Sequence, residues 1–145
     1  MKLLLPAPLA AQIAAESGAA APRECCGLIE GLSQGKKFDA HRLHPARNCA
    51  TAAGRFEIAP EDHFAAAKAA RAHGRRLIGC YHSHPDGIAE PSRHDRDGAE
   101  ERDFIWLIAA CGGASTNLAA WLYRSGLFMP MVLIDPLGAD LVTSS

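Results

Sequence analysis

The chain has 145 residues, 48 % of them apolar and 21 % charged, with a formal net charge of −1. That length suits one compact domain with a core of its own, and the balance is that of a globular protein. Near-neutral charge, with no basic run interleaved with aromatics, argues against nucleic acid or an anionic membrane as partner.

The elements follow in chain order. Met1 to Leu5 and the alanines after it resemble a secretory leader, but Pro6 and Pro8 break the apolar run and Gln12 and Glu16 follow. Leu3–Leu5 therefore reads as a short strand and Pro8 to about Ser17 as a helix, with Gly18 as its stop. Cys26–Glu30 and Phe38–Leu43 read as strands joined by a turn over Gly31–Lys36. Pro45–Ala59 is rich in turn and small residues and is expected to be a long loop. Pro60–His73 carries the clearest helix signal. Pro60 suits the first helical position, Glu61 and Asp62 the positive end of the dipole, Arg71 and His73 the negative end, and Gly74 a left-handed cap. Leu77–Tyr81 is an apolar run of strand length that leads into His82-Ser83-His84-Pro85. A loop over Pro85–Pro91 follows, and Ser92 opens a short helix. Phe104–Ala110, Leu118–Tyr123 and Met131–Ile134 complete the set as strands. Helices at two points with strands between and after them predict a mixed α/β or α+β domain around one sheet, spanning 1–145. No stretch is long and apolar enough to span a bilayer.

The cysteines are Cys25, Cys26, Cys49, Cys80 and Cys111, an odd number without C-x-x-C spacing. They read as free thiols in a reducing cytoplasm, several of them serving as small buried apolar groups.

The chemistry lies in the segment from His82 to Asp95. Histidines at i and i+2 on a strand end point to one face, so His82 and His84 can reach a single ion. Pro85 ends the strand, and the loop lets the chain return with Asp95 on the first turn of the next helix. Two imidazoles and a carboxylate are the ligand set of a catalytic zinc site, which keeps its fourth position for water. Such a centre needs a general base and an oxyanion donor close by. Taken alone, His82-x-His84 reads as two surface or core histidines, and Ser92-x-x-Asp95 as a helix capping box. In this order after an apolar strand they read together as a metal site. His94 is expected to face solvent or support the site. His41, His44, His63 and His73 are expected to be structural or exposed, and Asp86 and Asp97 solvated, Asp97 close enough to support the ligands.

His82-Ser83-His84-Pro85, six residues, Ser92, two more and Asp95 resembles the signature of the JAMM (MPN-plus) zinc metalloproteases. Glu24-Cys25-Cys26-Gly27 is similar to the upstream glutamate motif of that family. Pro22–Gly31 and Asn48 with Arg55–Pro60 resemble the small prokaryotic JAB-domain members, from about Leu3 to Asp97 overall. The resemblance implies a curved mixed β-sheet flanked by two main helices and a short helix after the metal loop. It implies one Zn2+ on His82, His84 and Asp95, with Glu24 as general base and Ser92 as oxyanion donor. It favours Glu24 as base over Glu30, Asp86 and Glu90. The implied reaction is hydrolysis of an amide bond after the C-terminal Gly-Gly of a ubiquitin-like or sulfur-carrier protein. The tail of that substrate is expected to pair with a sheet edge, with the Pro45–Ala59 loop as a wall, and apolar sheet edges leave room for a homodimer. The rival readings are a non-catalytic zinc-stabilised MPN scaffold or protein-binding module and a DNA-repair-associated protein sharing the His-x-His-Pro pattern. Intact Glu24 and Ser92 argue against the first, and the charge against the second. A zinc deaminase would need His-x-Glu and Pro-Cys-x-x-Cys, which do not occur.

Overall fold

The computed structural model describes residues 1–111 and 115–137. The described chain runs β1 (Lys2–Leu4), α1 (Ala7–Ala20), β2 (Cys26–Gln34), β3 (Lys37–Ala46), α2 (Pro60–Ala72), β4 (Arg76–His84), α3 (Arg93–Gly98), β5 (Phe104–Ala110), β6 (Asn117–Arg124) and β7 (Leu127–Ile134). The predicted elements are all present, in an α+β arrangement.

The strands form one mixed sheet in the order β1-β3-β2-β4-β5-β6-β7, and its curvature goes as far as closure into a barrel. β1 makes the closure, pairing in parallel with β3 and with β7. β4 and β5 are also parallel, and the remaining neighbours are antiparallel. β1 covers only Lys37–Asp39 of β3 and Val132–Ile134 of β7, so among the described residues Ala40–Ala46 and Leu127–Met131 have no strand paired on that side.

Element ends differ from expectation for local reasons. α1 passes Gly18, whose surroundings are open, and ends at Ala20 just before Pro22. Ala19 and Ala20 favour continuation more than one glycine opposes it. β2 and β3 extend into a tight hairpin, because Gly35 accepts a φ of +60°. Ser125 and Gly126, at φ +55° and +77°, likewise turn β6 directly into β7. β7 starts before Pro130, which pairs with Trp121 at a point where β1 does not yet flank the strand.

Two apolar layers result. Leu3, Ile13, Ile29, Tyr81, Ile105 and Leu107 belong to the main core, to which α1 contributes Ile13. The Tyr81 hydroxyl donates to Glu16 of α1 at 2.8 Å. A second cluster, with Leu28, Cys80, Phe104 and Trp106, packs against Ala66 of α2. The alternation of β4 places His82 on the side of this second cluster, where its ring meets Trp106 edge-on at 5.7 Å.

Glu30 is buried beneath both α2 and β3. Its carboxylate takes His44 Nε2 at 2.8 Å, His73 Nδ1 at 2.9 Å and Arg75 Nη1 at 2.8 Å. Burial alone would raise its pKa, but hydrogen bonds from His44, Arg75 and His73 hold it at about 2. Glu30, His44 and His73 thus tie elements together away from the His82–Asp95 segment.

Close strand packing depends on glycine at position 79. A Cβ there would lie 2.5 Å from the Ile105 carbonyl oxygen and 2.6 Å from Ile105 Cβ. Gly79→Ala is therefore expected to lower unfolding stability by about 1–3 kcal/mol, because backbone of β5 must shift. Denaturant titration against the parent protein checks this, and an unchanged midpoint would contradict the packing.

Candidate metal centre

β4 ends with His82 and His84 on one face, and α3 brings Asp95 across the intervening loop. His82 Nε2 and His84 Nε2 lie 2.9 Å apart, and each is 3.1 Å from Asp95 Oδ2. All three side chains are buried. Tetrahedral zinc with ligands at 2.0–2.1 Å would space them about 3.3 Å apart, so the triangle has nearly the right dimensions.

Each side chain is held differently. His84 Nδ1 donates to the Ile88 carbonyl at 2.7 Å, which turns Nε2 toward Asp95. Asp95 Oδ2 accepts from the Ser92 N–H at 2.8 Å, and Ser92 Oγ accepts from the Asp95 N–H at 3.1 Å. The capping box predicted as the plain structural alternative is therefore real, and it fixes Asp95 in the site. His82 Nδ1 is buried with no hydrogen-bond partner among the described residues. Its ring is stacked instead on Phe56, with centroids 4.2 Å apart and planes at 20°. Sequence reasoning assigned this work to no residue. Phe56 carries no polar group to mark it.

Glu24 lies beside this triangle. Glu24, His82 and His84 form a group whose ligand atoms all lie within 4.8 Å of one another. Glu24 Oε1 is buried and has no partner among the described residues. Two carboxylates thus approach the imidazoles, Asp95 in hydrogen-bond contact with both and Glu24 further out.

The backbone around Glu24 is fixed on both sides. Asn48 Nδ2 donates to the Glu24 carbonyl at 2.9 Å. Ser83, between the two histidines, accepts from the Cys25 N–H through Oγ at 2.8 Å. Asn48 also donates to the Arg55 carbonyl and accepts from the Ala50 and Glu57 N–H groups, so one amide organises the loop that carries Phe56.

The electrostatics separate the two acids. Burial pushes Glu24 up to about 7, against the pull of His84 and with help from Asp95 and Asp86. Asp95 is driven well below the usual carboxylate range, because hydrogen bonds from His82, His84 and the Ser92 N–H overcome its burial. Burial lowers the His82 pKa despite Asp95. Burial also opposes charge on His84, but bonds to Asp95 and the Ile88 carbonyl raise it. A converging set of two imidazoles and a carboxylate fits a divalent cation, and the unpaired Glu24 oxygen fits a proton carrier.

Other predicted residues fall elsewhere. His94 and Asp97 are exposed on α3, and His63 faces Glu101 at 4.0 Å. Asp86 is exposed and accepts from the Ile88 N–H. All five cysteines are free thiols. No helix among the described residues is long and apolar enough to cross a membrane.

A barrel of this topology with a His-x-His strand end facing an Asp from the next helix defines a JAB/MPN-type domain. Residues 6–123 match the model of the prokaryotic homologs of the JAB domain, and the chain belongs to that family. It is similar to a desampylase of Haloferax volcanii, 33 % identical over 105 residues, which cover 70 % of this chain and 74 % of that protein. It is also 31 % identical over 99 residues to the tail tip assembly protein K of Escherichia phage N15, spanning 68 % of this chain but only 37 % of the phage protein. Among solved structures, a Desulfitobacterium hafniense protein superposes with a TM-score of 0.82 at 24 % identity, covering 92 % of this chain and 93 % of that one. A JAB1/MPN domain protein from Archaeoglobus fulgidus superposes at 0.55 and 19 % identity, with 93 % and 97 % covered. These two likenesses bear on the fold.

Proposed function

We propose that this protein, a hydrolase of the JAB family, is a cytoplasmic zinc peptidase. It hydrolyses the amide bond after the C-terminal Gly-Gly of a ubiquitin-like or sulfur-carrier protein. The observation that carries this reading is the meeting of His82, His84 and Asp95 within 3.1 Å beside the buried, unpartnered Glu24 carboxylate. The relationship to a desampylase supports a ubiquitin-like protein as substrate.

In this reading His82, His84 and Asp95 hold one Zn2+, which when bound polarises the substrate carbonyl and acidifies water. Glu24 takes a proton from the attacking water and returns it to the leaving nitrogen. The Ser92 Oγ already accepts from Asp95, so its hydroxyl hydrogen is free to donate to the developing oxyanion. Asp95 is the better third ligand of the two carboxylates, because it meets both imidazoles and is far more acidic than Glu24. The tail has an alternative to a sheet edge. Glu57 and the Arg55 carbonyl bond inward to Asn48 and Cys49, whereas among the described residues nothing bonds the Phe56 N–H or carbonyl. That leaves an extended segment able to pair with a peptide.

Incubation of zinc-loaded protein with sulfur-carrier proteins bearing C-terminal extensions, read by intact mass, tests the reading. Loss of the residues after Gly-Gly is expected. Uncut substrate with stable complex formation would favour the scaffold reading, for which the phage tail tip assembly relative is the supporting observation.

The Phe56 stack has its own consequence. With no hydrogen bond at Nδ1, the His82 ring relies on Phe56 and Trp106 for its orientation. Phe56→Ala is expected to weaken zinc binding by about 10–100-fold, the range for residues that orient a ligand. Chelator competition measures it, and parent-like affinity would assign the ring no orienting role.

A further inference from the structure

The loop after the second histidine is tied down by a side chain from β6, two strands away. Residues 85–91 carry little packing of their own: Asp86, Gly87 and Glu90 are exposed, and Ile88 exposes 54 % of its surface. Hydrogen bonds shape the loop instead. The Gly87 N–H donates to the His84 carbonyl at 3.2 Å, with Gly87 at a φ of +83°, and the Ile88 N–H donates to Asp86 Oδ1 at 3.0 Å. Those two bonds are local. A third reaches in from β6, where Trp121 Nε1 donates to the Ala89 carbonyl at 3.1 Å. Cys80, Trp106 and Trp121 stand in one row across β4, β5 and β6, and His84 lies four residues further along β4. That sets Trp121 roughly 13 Å below the level of His84, so the loop doubles back along the sheet to meet it.

We infer that Trp121 is a positioning residue for the metal centre: by holding the Ala89 carbonyl, its indole N–H keeps the neighbouring Ile88 carbonyl on His84 Nδ1. The inference rests on the reading of His84 as a metal ligand and adds what presets its ring. An imidazole that binds a metal through Nε2 carries its proton on Nδ1, and the partner of that proton fixes the orientation of the ring. Here the partner is the Ile88 carbonyl at 2.7 Å, a backbone atom in an exposed loop. Such a carbonyl is only as well placed as its peptide plane. The Ile88 carbonyl shares a plane with the Ala89 N–H, and just the two soft dihedrals of Ala89 separate that plane from the next, whose carbonyl Trp121 holds. A loop free to move would spread the ring over several orientations, and zinc would have to select one of them. Trp121 is itself set in place by the barrel. It pairs with Trp106 on one side and Pro130 on the other, and it packs against the second apolar cluster. The two histidines are thus oriented by different means, His82 by ring stacking on Phe56 and His84 by a chain of hydrogen-bonded groups that ends in β6.

The test removes the indole N–H and keeps the ring. Trp121 is replaced by benzothienylalanine, an isostere with sulfur where the N–H stood, and Trp121→Phe is made beside it. Chelator competition is expected to show zinc bound about three- to tenfold more weakly in both, the worth of one hydrogen bond. Nitrogen-15 spectra of the zinc-loaded proteins read the chain of contacts directly. The His84 Nδ1–H signal of the parent is expected to broaden or vanish in both variants, through faster exchange with water. Linkage supplies a reciprocal reading in the parent protein, because whatever the indole bond adds to zinc affinity, zinc adds to that bond. Zinc loading is therefore expected to slow exchange of the Trp121 indole N–H by about the same three- to tenfold factor. A residue kept for packing alone would lower the melting temperature of Trp121→Phe but leave the isostere, the Nδ1–H signal and the exchange rate unchanged. That pattern would overturn the inference, as would parent-like zinc affinity in the isostere. A parent that takes up no zinc would overturn the metal centre and this role with it, whereas zinc uptake indifferent to position 121 would retire the role alone.

Discussion

Asp95→Ala is expected to reduce bound zinc from about one per chain to near zero, and to abolish hydrolysis with it. Asp95 Oδ2 stands 3.1 Å from each imidazole and 2.8 Å from the Ser92 N–H, so one oxygen organises three donors. Removing it leaves two histidines, and a two-ligand site holds zinc too weakly to survive a chelator. His82→Ala should release the metal equally. Alanine at position 95 also removes half of the capping box, which costs α3 about 0.5–2 kcal/mol and could loosen the site indirectly. Asp95→Asn separates the two effects. Its amide oxygen can still accept from the Ser92 N–H, but it offers the metal no charge. Metal loss in Asp95→Asn with an unchanged melting temperature of the metal-free protein is the expected pattern. Full metal content in both Asp95→Ala and His82→Ala, measured by elemental analysis after dialysis against chelator, would sink the assignment.

The parts of this centre that were legible in the sequence are those with fixed local spacing. His82 and His84 sit two apart at a strand end, and Ser92 and Asp95 fit the first turn of a helix, so strand and helix periodicity alone predict how each pair points. Glu24 was identifiable only through family resemblance, since its approach depends on the β2–β4 register that sets Cys26 opposite His82. Pairing between distant segments leaves no periodic trace in either strand. Barrel closure was hidden for the same reason, because it rests on Lys2–Leu4 meeting two strands remote in the chain. Phe56 and Ile88 were missed on different grounds. One works through a ring face and the other through a backbone carbonyl, and neither function is visible in residue type. Glu30 was weighed against Glu24 as the base. What distinguishes them is company: Glu30 is saturated by His44, His73 and Arg75, while Glu24 keeps a buried oxygen without a partner.

That difference makes Glu24→Gln the most informative single change. The variant is expected to keep its zinc and lose turnover by about 10²–10⁴-fold, the usual worth of a positioned general base. Glutamine preserves shape, so substrate binding should change little and the loss should fall on kcat. Near-normal turnover would make another group the base. A second measurement needs no substrate. Without metal, burial raises the Glu24 carboxyl from 4.5 to about 7, so the folded protein holds this proton more tightly than the unfolded chain does. Stability from this group is therefore greatest below the unfolded pKa, declines as pH rises between about 4.5 and 7, and is lowest above that window. Above pH 7 the parent must bury an ionised, unpartnered carboxylate, and glutamine does not. The metal-free Glu24→Gln protein is thus expected to be more stable than the metal-free parent at pH 8, by on the order of 1–3 kcal/mol, and to lose that advantage below about pH 4.5. A residue kept only for structure would give the opposite result, a variant weaker than the parent at neutral pH. Gain of stability with loss of kcat in one substitution would mark a group held at a strained protonation equilibrium for the sake of proton transfer.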